Sequence, residues 1–156
     1  MSLFRKKQKE LSPPTEPLEF SVTGMSYLTD NIIKVGTEVA LYNASDDVII
    51  ENCSDHVYQF SFDNKIMSFM SEPKNKADKN AIMVLLDNIK IGYVPADLTA
   101  TFRHYTKYPC NVTYYFRGGH YKNVEWVHDK KKDIIKYKVT KDFYPYYCNV
   151  VITPVL

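Results

Sequence analysis

Short segments in which apolar and polar residues alternate run through most of the chain, and polar turns separate them. Successive side chains of a strand point to opposite faces, so a period of two predicts half-buried strands. In the first such segment, Leu18, Phe20 and Val22 alternate with polar residues, and Gly24 ends or bends the strand. Further short strands are predicted over residues 39–42, 48–50, 57–62 and 66–70.

Residues 72–95 combine a polar loop with a strongly apolar segment. Residues 72–80 are rich in lysine, carboxylate and asparagine side chains and include Pro73, a composition typical of an ordered, solvated turn. Residues 81–86 are all apolar. Over so short a length this favours a strand buried on both faces.

A tight hairpin is predicted directly after this apolar strand. Asp87 and Asn88 tolerate the left-handed backbone that a two-residue turn needs. Residues 89–94 are therefore predicted to return antiparallel. Gly92 lies in this second strand, where a larger side chain would not fit.

Two short helices are predicted. One covers residues 30–34 and ends at Gly36, and the other begins at Pro95 and ends at Pro109. In the second helix, Leu98, Phe102 and Tyr105 fall on one face and are expected in the core, whereas Thr99, Arg103 and Lys107 are expected to face outward.

An antiparallel meander is predicted for the C-terminal part of the chain. A two-residue hairpin is expected at Gly118-Gly119, and residues 129–133 form a charged turn. The strands on either side are predicted over residues 112–116, 121–127, 135–139 and 146–152. With the earlier strands, this indicates a mostly β fold with one or two short helices. It is a single-domain antiparallel fold with enough strands to close a β-barrel.

The predicted organisation is an arm followed by one domain. Residues 1–17 contain four basic residues and then a Pro-rich run, so a flexible basic arm is expected, which either contacts phosphates or only solubilises the chain. Residues 18–156 form the β-barrel domain, with a motif core over residues 66–106 and the meander over residues 109–156.

Composition narrows the functional classes. The chain has 156 residues, the size of one domain, and its net charge is +2, so affinity for nucleic acid requires a local basic face. Three cysteines lie far apart in the sequence, which indicates reduced thiols and no zinc site. No apolar run reaches the length needed to cross a bilayer, and the expected location is the cytoplasm.

The sequence has no motif for catalysis. A phosphate-binding Gly-rich loop, a His-Glu-x-x-His pair and a Gly-x-Ser-x-Gly elbow are all absent from it. Its four histidines are scattered. The prediction is a protein that is not an enzyme and that needs no cofactor or metal.

The pattern Glu-Pro-x-Asn-x-x-Asp-x-Asn-Ala-Ile-x-Val in residues 72–84, followed by Ile-Gly-Tyr-Val-Pro in residues 91–95, resembles the signature of the HIRAN domain. This domain is a small OB- or SH3-like β-barrel. It is found in certain chromatin-remodelling ATPases and as stand-alone bacterial proteins, and this chain is more similar to the bacterial proteins. Residues 20–24 resemble the opening strand of the family, and residues 117–122 resemble the C-terminal part of the short bacterial members.

The resemblance implies recognition of single-stranded DNA at its 3′ end. HIRAN domains use an aromatic-containing segment after the first-strand Gly together with the Asn/Asp loop, which implies Tyr27, Asn75 and Asp78 here. Where an Arg and a second aromatic flank that Tyr in the family, this sequence has Ser26 and Leu28.

The candidate interface has basic, amide and aromatic parts. Lysines attract phosphates, and aromatic rings stack on bases. Two alternatives remain open: Asp78 and Asn80 either contact the ligand or shape the loop, and the two tyrosines either stack or belong to the barrel wall. The candidate residues are Tyr27, Lys74, Asn75, Lys76, Asp78, Lys79, Asn80 and Tyr93.

A second basic surface is a further candidate. It includes Arg117, His120 and Lys122, with His120 expected at a hairpin tip, and it extends to the lysines between residues 130 and 138. Solvated lysines of no specific function are the alternative.

The leading hypothesis is a non-enzymatic module that binds single-stranded DNA or DNA ends. The alternative is a protein-interaction or structural module that binds a partner chain through the same loop or a strand edge. A nuclease that uses Asp78 ranks third.

Overall fold

The computed structural model describes residues 11–53 and 55–156, which form a mostly β chain with three short α-helices. The strands and helices are β1 (Leu18–Ser21), α1 (Thr29–Val35), β2 (Thr37–Glu38), α2 (Asp46–Asn52), β3 (His56–Tyr58), β4 (Phe60–Ser61), β5 (Met67–Ser71), β6 (Ile82–Leu86), β7 (Ile89–Tyr93), α3 (Thr99–Thr106), β8 (Cys110–Asp129) and β9 (Ile134–Pro154). Two 3₁₀ turns, Met25–Tyr27 and Ala96–Leu98, precede α1 and α3.

The strands form antiparallel sheets. One sheet has the order β1-β9-β8-β3, a second has the order β5-β6-β7, and β2 pairs with β4. A bridge between Thr23 and Tyr93 joins the end of β1 to β7. Within the described residues these pairings do not close into a ring, so the predicted closed barrel is not confirmed.

One hydrophobic core lies between the two larger sheets and the helices. Its largest fully buried side chains include Ile32 of α1, Leu86 of β6, Ile91 of β7, Phe116 of β8 and Ile152 of β9. Burial of each such side chain contributes about 1.5–3 kcal/mol. The core therefore draws on elements from both ends of the described chain.

The hairpin predicted around Asp87 and Asn88 is confirmed. Both residues have positive φ, 47° and 62°, as a two-residue turn of this kind requires. The Asp87 carboxylate also accepts a hydrogen bond from the backbone N–H of Ile66 at 2.8 Å. β6 is buried at four of its five positions, as its continuous apolar sequence indicated.

Helix α3 follows Pro95 as predicted, with one correction. Phe102 is buried and packs edge-on against Phe20, while Leu98 and Tyr105 lie partly buried against the core. Thr99 was expected to face outward, but it is buried. Its hydroxyl donates to the carbonyl of Ala96, which lets a polar residue enter the core.

The strands predicted at residues 39–42 and 48–50 were wrong. Residues 40–44 form turns, and residues 48–50 belong to α2, so there are three α-helices where one or two were expected. Ser45 caps α2 by accepting a hydrogen bond from the N–H of Val48, and Asp46 and Asp47 lie in its first turn. These start signals outweigh the β preference of Val48, Ile49 and Ile50. The strand predicted at 57–62 is split into β3 and β4.

The predicted C-terminal meander is a single long hairpin. Gly118 and Gly119 do not turn the chain; they lie within β8, with φ of 121° and 92°, at a bulge between β8 and β9 where the register shifts and β9 has one extra residue. A Cβ atom at Gly118 would lie 2.6 Å from the Pro145 carbonyl oxygen, so close strand contact explains this glycine. His120 consequently lies inside β8 and not at a hairpin tip. The charged turn at 129–133 is confirmed as the actual tip.

The described part of the predicted arm lies on α3. The His104 ring nitrogen Nε2 is 2.9 Å from the Ser12 carbonyl oxygen, and the Tyr105 hydroxyl donates to the Glu16 carbonyl at 2.8 Å. The basic cluster within residues 1–10 lies outside the described residues. The three cysteines are free thiols, and burial raises the pKa of Cys148 to about 12. None of the described helices has the length and apolar character to span a membrane.

Candidate functional site

The loop of residues 72–80 is held by its own asparagine and aspartate side chains. The Asn75 side-chain oxygen accepts from the N–H groups of Ala77 and Asp78, both at 3.0 Å, and Asp78 accepts from the N–H of Asn80 at 2.9 Å. Such bonds fix a turn that its polar composition would otherwise leave mobile. Asn75 and Asp78 therefore shape the loop, whether or not they also contact a ligand.

Glu72 connects this loop to β7. One carboxylate oxygen accepts from the Asn75 amide and from the Tyr93 hydroxyl, each at 2.9 Å, and the other accepts from the Lys90 ammonium at 3.2 Å. Burial acts to raise the pKa of Glu72, but the hydrogen bonds from Tyr93, Asn75 and Lys90 outweigh it and lower the pKa. Glu72 is therefore an ionised anchor of the loop.

Tyr93 lies between the loop and the segment after β1. Its backbone exchanges two hydrogen bonds of 2.9 Å with Thr23, and its ring lies next to Gly24, where a Cβ atom would be 3.4 Å away. The Lys90 ammonium lies 4.7 Å from the centre of the same ring, and the contacts with Tyr93 and Glu72 raise the pKa of Lys90. Tyr93 thus contacts both the loop and the segment after β1, and its hydroxyl helps to hold the loop through Glu72.

Tyr27 is the exposed aromatic residue of this region. It ends the 3₁₀ turn that follows Gly24, and 90% of its surface is accessible, while its neighbour Met25 is buried. An open depression of about 260 Å³ lies beside it and is lined by residues 26–31. Because Gly24 touches Tyr93 and Tyr93 bonds to Glu72, the turn that carries Tyr27 adjoins the polar loop.

The loop lysines face solvent. Lys74, Lys76 and Lys79 are all exposed, and within the described residues none of the three lies in ion-pair distance of a carboxylate. Their charge is available to a ligand. Asn80 is exposed as well.

Arg103 was not among the predicted site residues, although it holds the end of the loop. Its guanidinium donates to the Ser71 hydroxyl at 2.9 Å and to the Asn80 carbonyl at 3.1 Å. Helical periodicity indicated only that Arg103 faces away from the core. The contacts of Glu72 and Lys90 with Tyr93 were also not predicted, because they depend on how the loop packs on β7.

The three residues of the second candidate surface are engaged locally. Arg117 pairs with Asp63 at 2.9 Å, and Lys122 donates to the Tyr42 carbonyl at 2.7 Å. His120 packs edge-on against Phe143. Their role in binding stays a prediction.

The exposed side chains of this region are basic and aromatic, and the loop between them is held by its own side-chain hydrogen bonds. No group of three or more potential metal ligands occurs in the described part of the chain. An antiparallel β domain with a loop of this kind suits an extended, negatively charged ligand.

Comparison with known families identifies the domain. A model of the HIRAN domain matches residues 16–111, more than half of the chain, so the chain belongs to the HIRAN domain family. HIRAN domains are generally DNA-binding modules, and the domain itself is not catalytic. No curated protein and no solved structure matches the chain.

Proposed function

We propose that this chain binds single-stranded DNA at a 3′ end through the 72–80 loop and the turn that carries Tyr27. The contact that carries the proposal is the chain of bonds from Glu72 through Tyr93 to Thr23, since it holds the two segments side by side. Membership of the HIRAN family supports DNA as the ligand.

Each part of the site has a separate task in this proposal. Lys74, Lys76 and Lys79 attract the phosphates of the strand, and Tyr27 stacks on a base near its end. Asn75 and Asp78 keep the loop in its binding shape, as their internal hydrogen bonds indicate.

Fluorescent single strands with a free or a blocked 3′ end test the proposal by anisotropy. The free end is expected to bind more tightly, because a blocking group fills the space beside Tyr27. Tyr27→Ala is expected to weaken binding about 5- to 150-fold, the usual range for one stacked base. Tyr115→Ala, which removes a 50% exposed tyrosine elsewhere, is the control and leaves affinity unchanged. Equal affinity for the free and the blocked strand would exclude recognition of the 3′ end. Absence of binding to either strand would overturn the proposal.

The salt dependence tests the lysines separately. Changing Lys74, Lys76 and Lys79 together to Gln is expected to lower the slope of log affinity against log salt by about 0.7 for each phosphate that these lysines neutralise. Lys107→Gln, at the exposed end of α3, is a control that leaves the slope unchanged. An unaltered slope in the triple variant excludes the loop lysines from binding.

A protein-interaction module is the second candidate, because β5 is an outer strand of its sheet. Within the described residues its free edge has no strand partner, and Met70 on β5 is 57% exposed. An extended peptide could add to such an edge. Stoichiometric co-purification of one protein without nucleic acid, abolished by Met70→Asp, would favour this function.

We also propose that the chain acts without catalysis and in the cytoplasm, where its three free thiols stay reduced. Cleavage of single strands by purified protein, abolished in Asp78→Ala, would contradict the first statement.

A further inference from the structure

The outer part of the long hairpin projects beyond the sheet. β3 pairs with β8 only as far as Asn123, and β1 pairs with β9 from Asn149 to Ile152. From Glu125 to Lys138 the two strands pair only with each other within the described residues. We call residues 125–138 the β-arm. An isolated two-stranded hairpin is only marginally stable in water, so stability alone does not account for an exposed segment of this length.

The β-arm has two chemically different faces. Directly opposed residues share a face, and on one face Trp126 lies opposite Tyr137 and His128 lies opposite Ile135. All acidic residues of the two strands lie on the other face. There Glu125 pairs with Lys138 at 3.9 Å and Asp129 with Lys136 at 3.5 Å.

The first face, which we call the aromatic face, is exposed. Trp126 is 68%, Tyr137 57% and Ile135 58% accessible. Core residues further down the same two strands, such as Phe116, are completely buried. An exposed group of large side chains next to a polar surface typically marks an interaction site.

Charge selects the partner of this face. Five lysines and three acidic residues give the β-arm a net charge of +2, which equals the net charge of the whole chain, so the remaining residues together are neutral. Three of these lysines, Lys130, Lys131 and Lys132, form the tip, and Asp133 there contacts His128 at 2.9 Å. A second copy would bring two arms of charge +2 together. A polyanionic partner, in contrast, is attracted to these lysines.

Trp126 and Tyr137 further indicate which polyanion binds. Their rings can stack only on bases that are unpaired, since the base faces of a duplex are covered by their neighbours. We propose that the aromatic face is a second single-strand site, at which Trp126 and Tyr137 stack on bases and the tip lysines neutralise phosphates. The inference rests on the proposed binding of DNA strands, and it assigns the β-arm a binding site separate from the 72–80 loop.

Trp126 is the only tryptophan of the chain, so its fluorescence reports on the β-arm directly. Titration of the full chain with a thirty-nucleotide oligothymidylate is expected to quench this fluorescence. Anisotropy of the labelled strand follows total binding in the same samples. Tyr137→Ala is expected to reduce both quenching and affinity for the long strand about fivefold or more, as for removal of one stacked base.

Tyr144→Ala is a matched control, because Tyr144 lies on the same strand with similar exposure, 52%, but on the opposite face. It is expected to change neither signal. An equal effect of Tyr144→Ala and Tyr137→Ala would overturn the assignment to one face.

The outcomes separate this inference from the proposed function. Binding by anisotropy without quenching overturns the β-arm site and leaves the loop site in place. Quenching that persists in Tyr27→Ala and in the triple lysine variant supports a β-arm site that is independent of the loop. If the total binding measured by anisotropy is also unchanged in these variants, the loop site is removed and the β-arm site remains. A dimer that Trp126→Ala converts to a monomer in sedimentation, with strand binding unchanged, assigns the face to a second copy and overturns the inference. Absence of any binding overturns both.

Discussion

Two hairpins of this protein differ in what covers them. The β6–β7 hairpin has strands of five residues and is mostly buried, whereas the β8–β9 hairpin has strands of 20 and 21 residues and is buried only at its base. The HIRAN match includes the first hairpin and ends at residue 111, near the start of the second. The short hairpin carries the family signature, and the long one lies almost entirely beyond it.

The base of the long hairpin is nevertheless part of the core. Phe116 stacks on Phe62 with ring centres 4.0 Å apart, and β9 is the strand that pairs with β1. The family-matched region therefore depends on strands outside the match. The outer part of the same strands has no such neighbours, and its large side chains remain exposed. Burial thus changes along a single strand, according to what packs against it.

The largest expected effect lies at the base of the long hairpin. Phe116→Ala removes a fully buried ring from the core and is expected to lower the free energy of unfolding by about 3–5 kcal/mol. Urea unfolding followed by circular dichroism measures it. A cost of less than about 1 kcal/mol would show that β8 does not complete the core.

The next largest effect is expected at Gly92 in the short hairpin. A Cβ atom there would lie 2.5 Å from the Thr23 carbonyl oxygen, so Gly92→Ala is expected to destabilise by about 1–3 kcal/mol and to weaken strand binding. Gly24→Ala is the comparison, because its Cβ would meet Tyr93 at an ordinary 3.4 Å, although its φ of 76° also costs about 1–2 kcal/mol. Urea unfolding and anisotropy measure the two quantities. A smaller cost at Gly92 than at Gly24 would contradict the close contact with Thr23.

A smaller, pH-dependent effect is expected at Glu72. Its pKa is lowered in the folded state, so its contribution to stability is present above the ordinary carboxyl pKa of about 4.3 and is lost as the pH falls through the folded pKa. Glu72→Gln is expected to lower the free energy of unfolding by about 1–2 kcal/mol at pH 7, and by less at a pH below the folded pKa of Glu72. Unfolding at several pH values measures it, with Glu51→Gln on exposed α2 as the control. A difference that does not change with pH would mean that Glu72 is not held as an anion.

The smallest effect on stability is expected in the β-arm. Trp126→Ala should change the free energy of unfolding by no more than about 0.5 kcal/mol, since the side chain is 68% exposed. Urea unfolding, as for Phe116→Ala, measures this change. A loss of about 2 kcal/mol or more would mean that the arm is packed, and the contrast between base and tip would disappear.

Much of the candidate site was predictable because its signals are local. The charged loop, the Asp87-Asn88 turn and the helix after Pro95 each follow from neighbouring residues. The hydrogen bond from the Asn80 N–H to the Asp78 carboxylate agrees with the loop-shaping alternative for these two residues. Arg103 and Lys90 were not predictable as loop partners, since they approach the loop from other elements.

The errors in the fold have identifiable physical causes. Val48, Ile49 and Ile50 favour a strand by composition, but the Ser45 cap and packing of Ile49 in the interior produce α2. Gly118-Gly119 has the sequence of a tight turn, yet the pair lies at a bulge within β8 because β9 continues alongside it. A glycine pair permits several backbone conformations, and the neighbouring strand selects one.

The sequence by itself determined the family, the mostly β character and the position of the polar loop, because these depend on residue type and short spacing. Only the tertiary structure decided that Glu72, Tyr93 and Thr23 connect the loop to the turn of Tyr27. It also decided that the last two strands form one hairpin with a buried base and an exposed tip. Contacts between residues far apart in the chain depend on packing, which local periodicity does not encode.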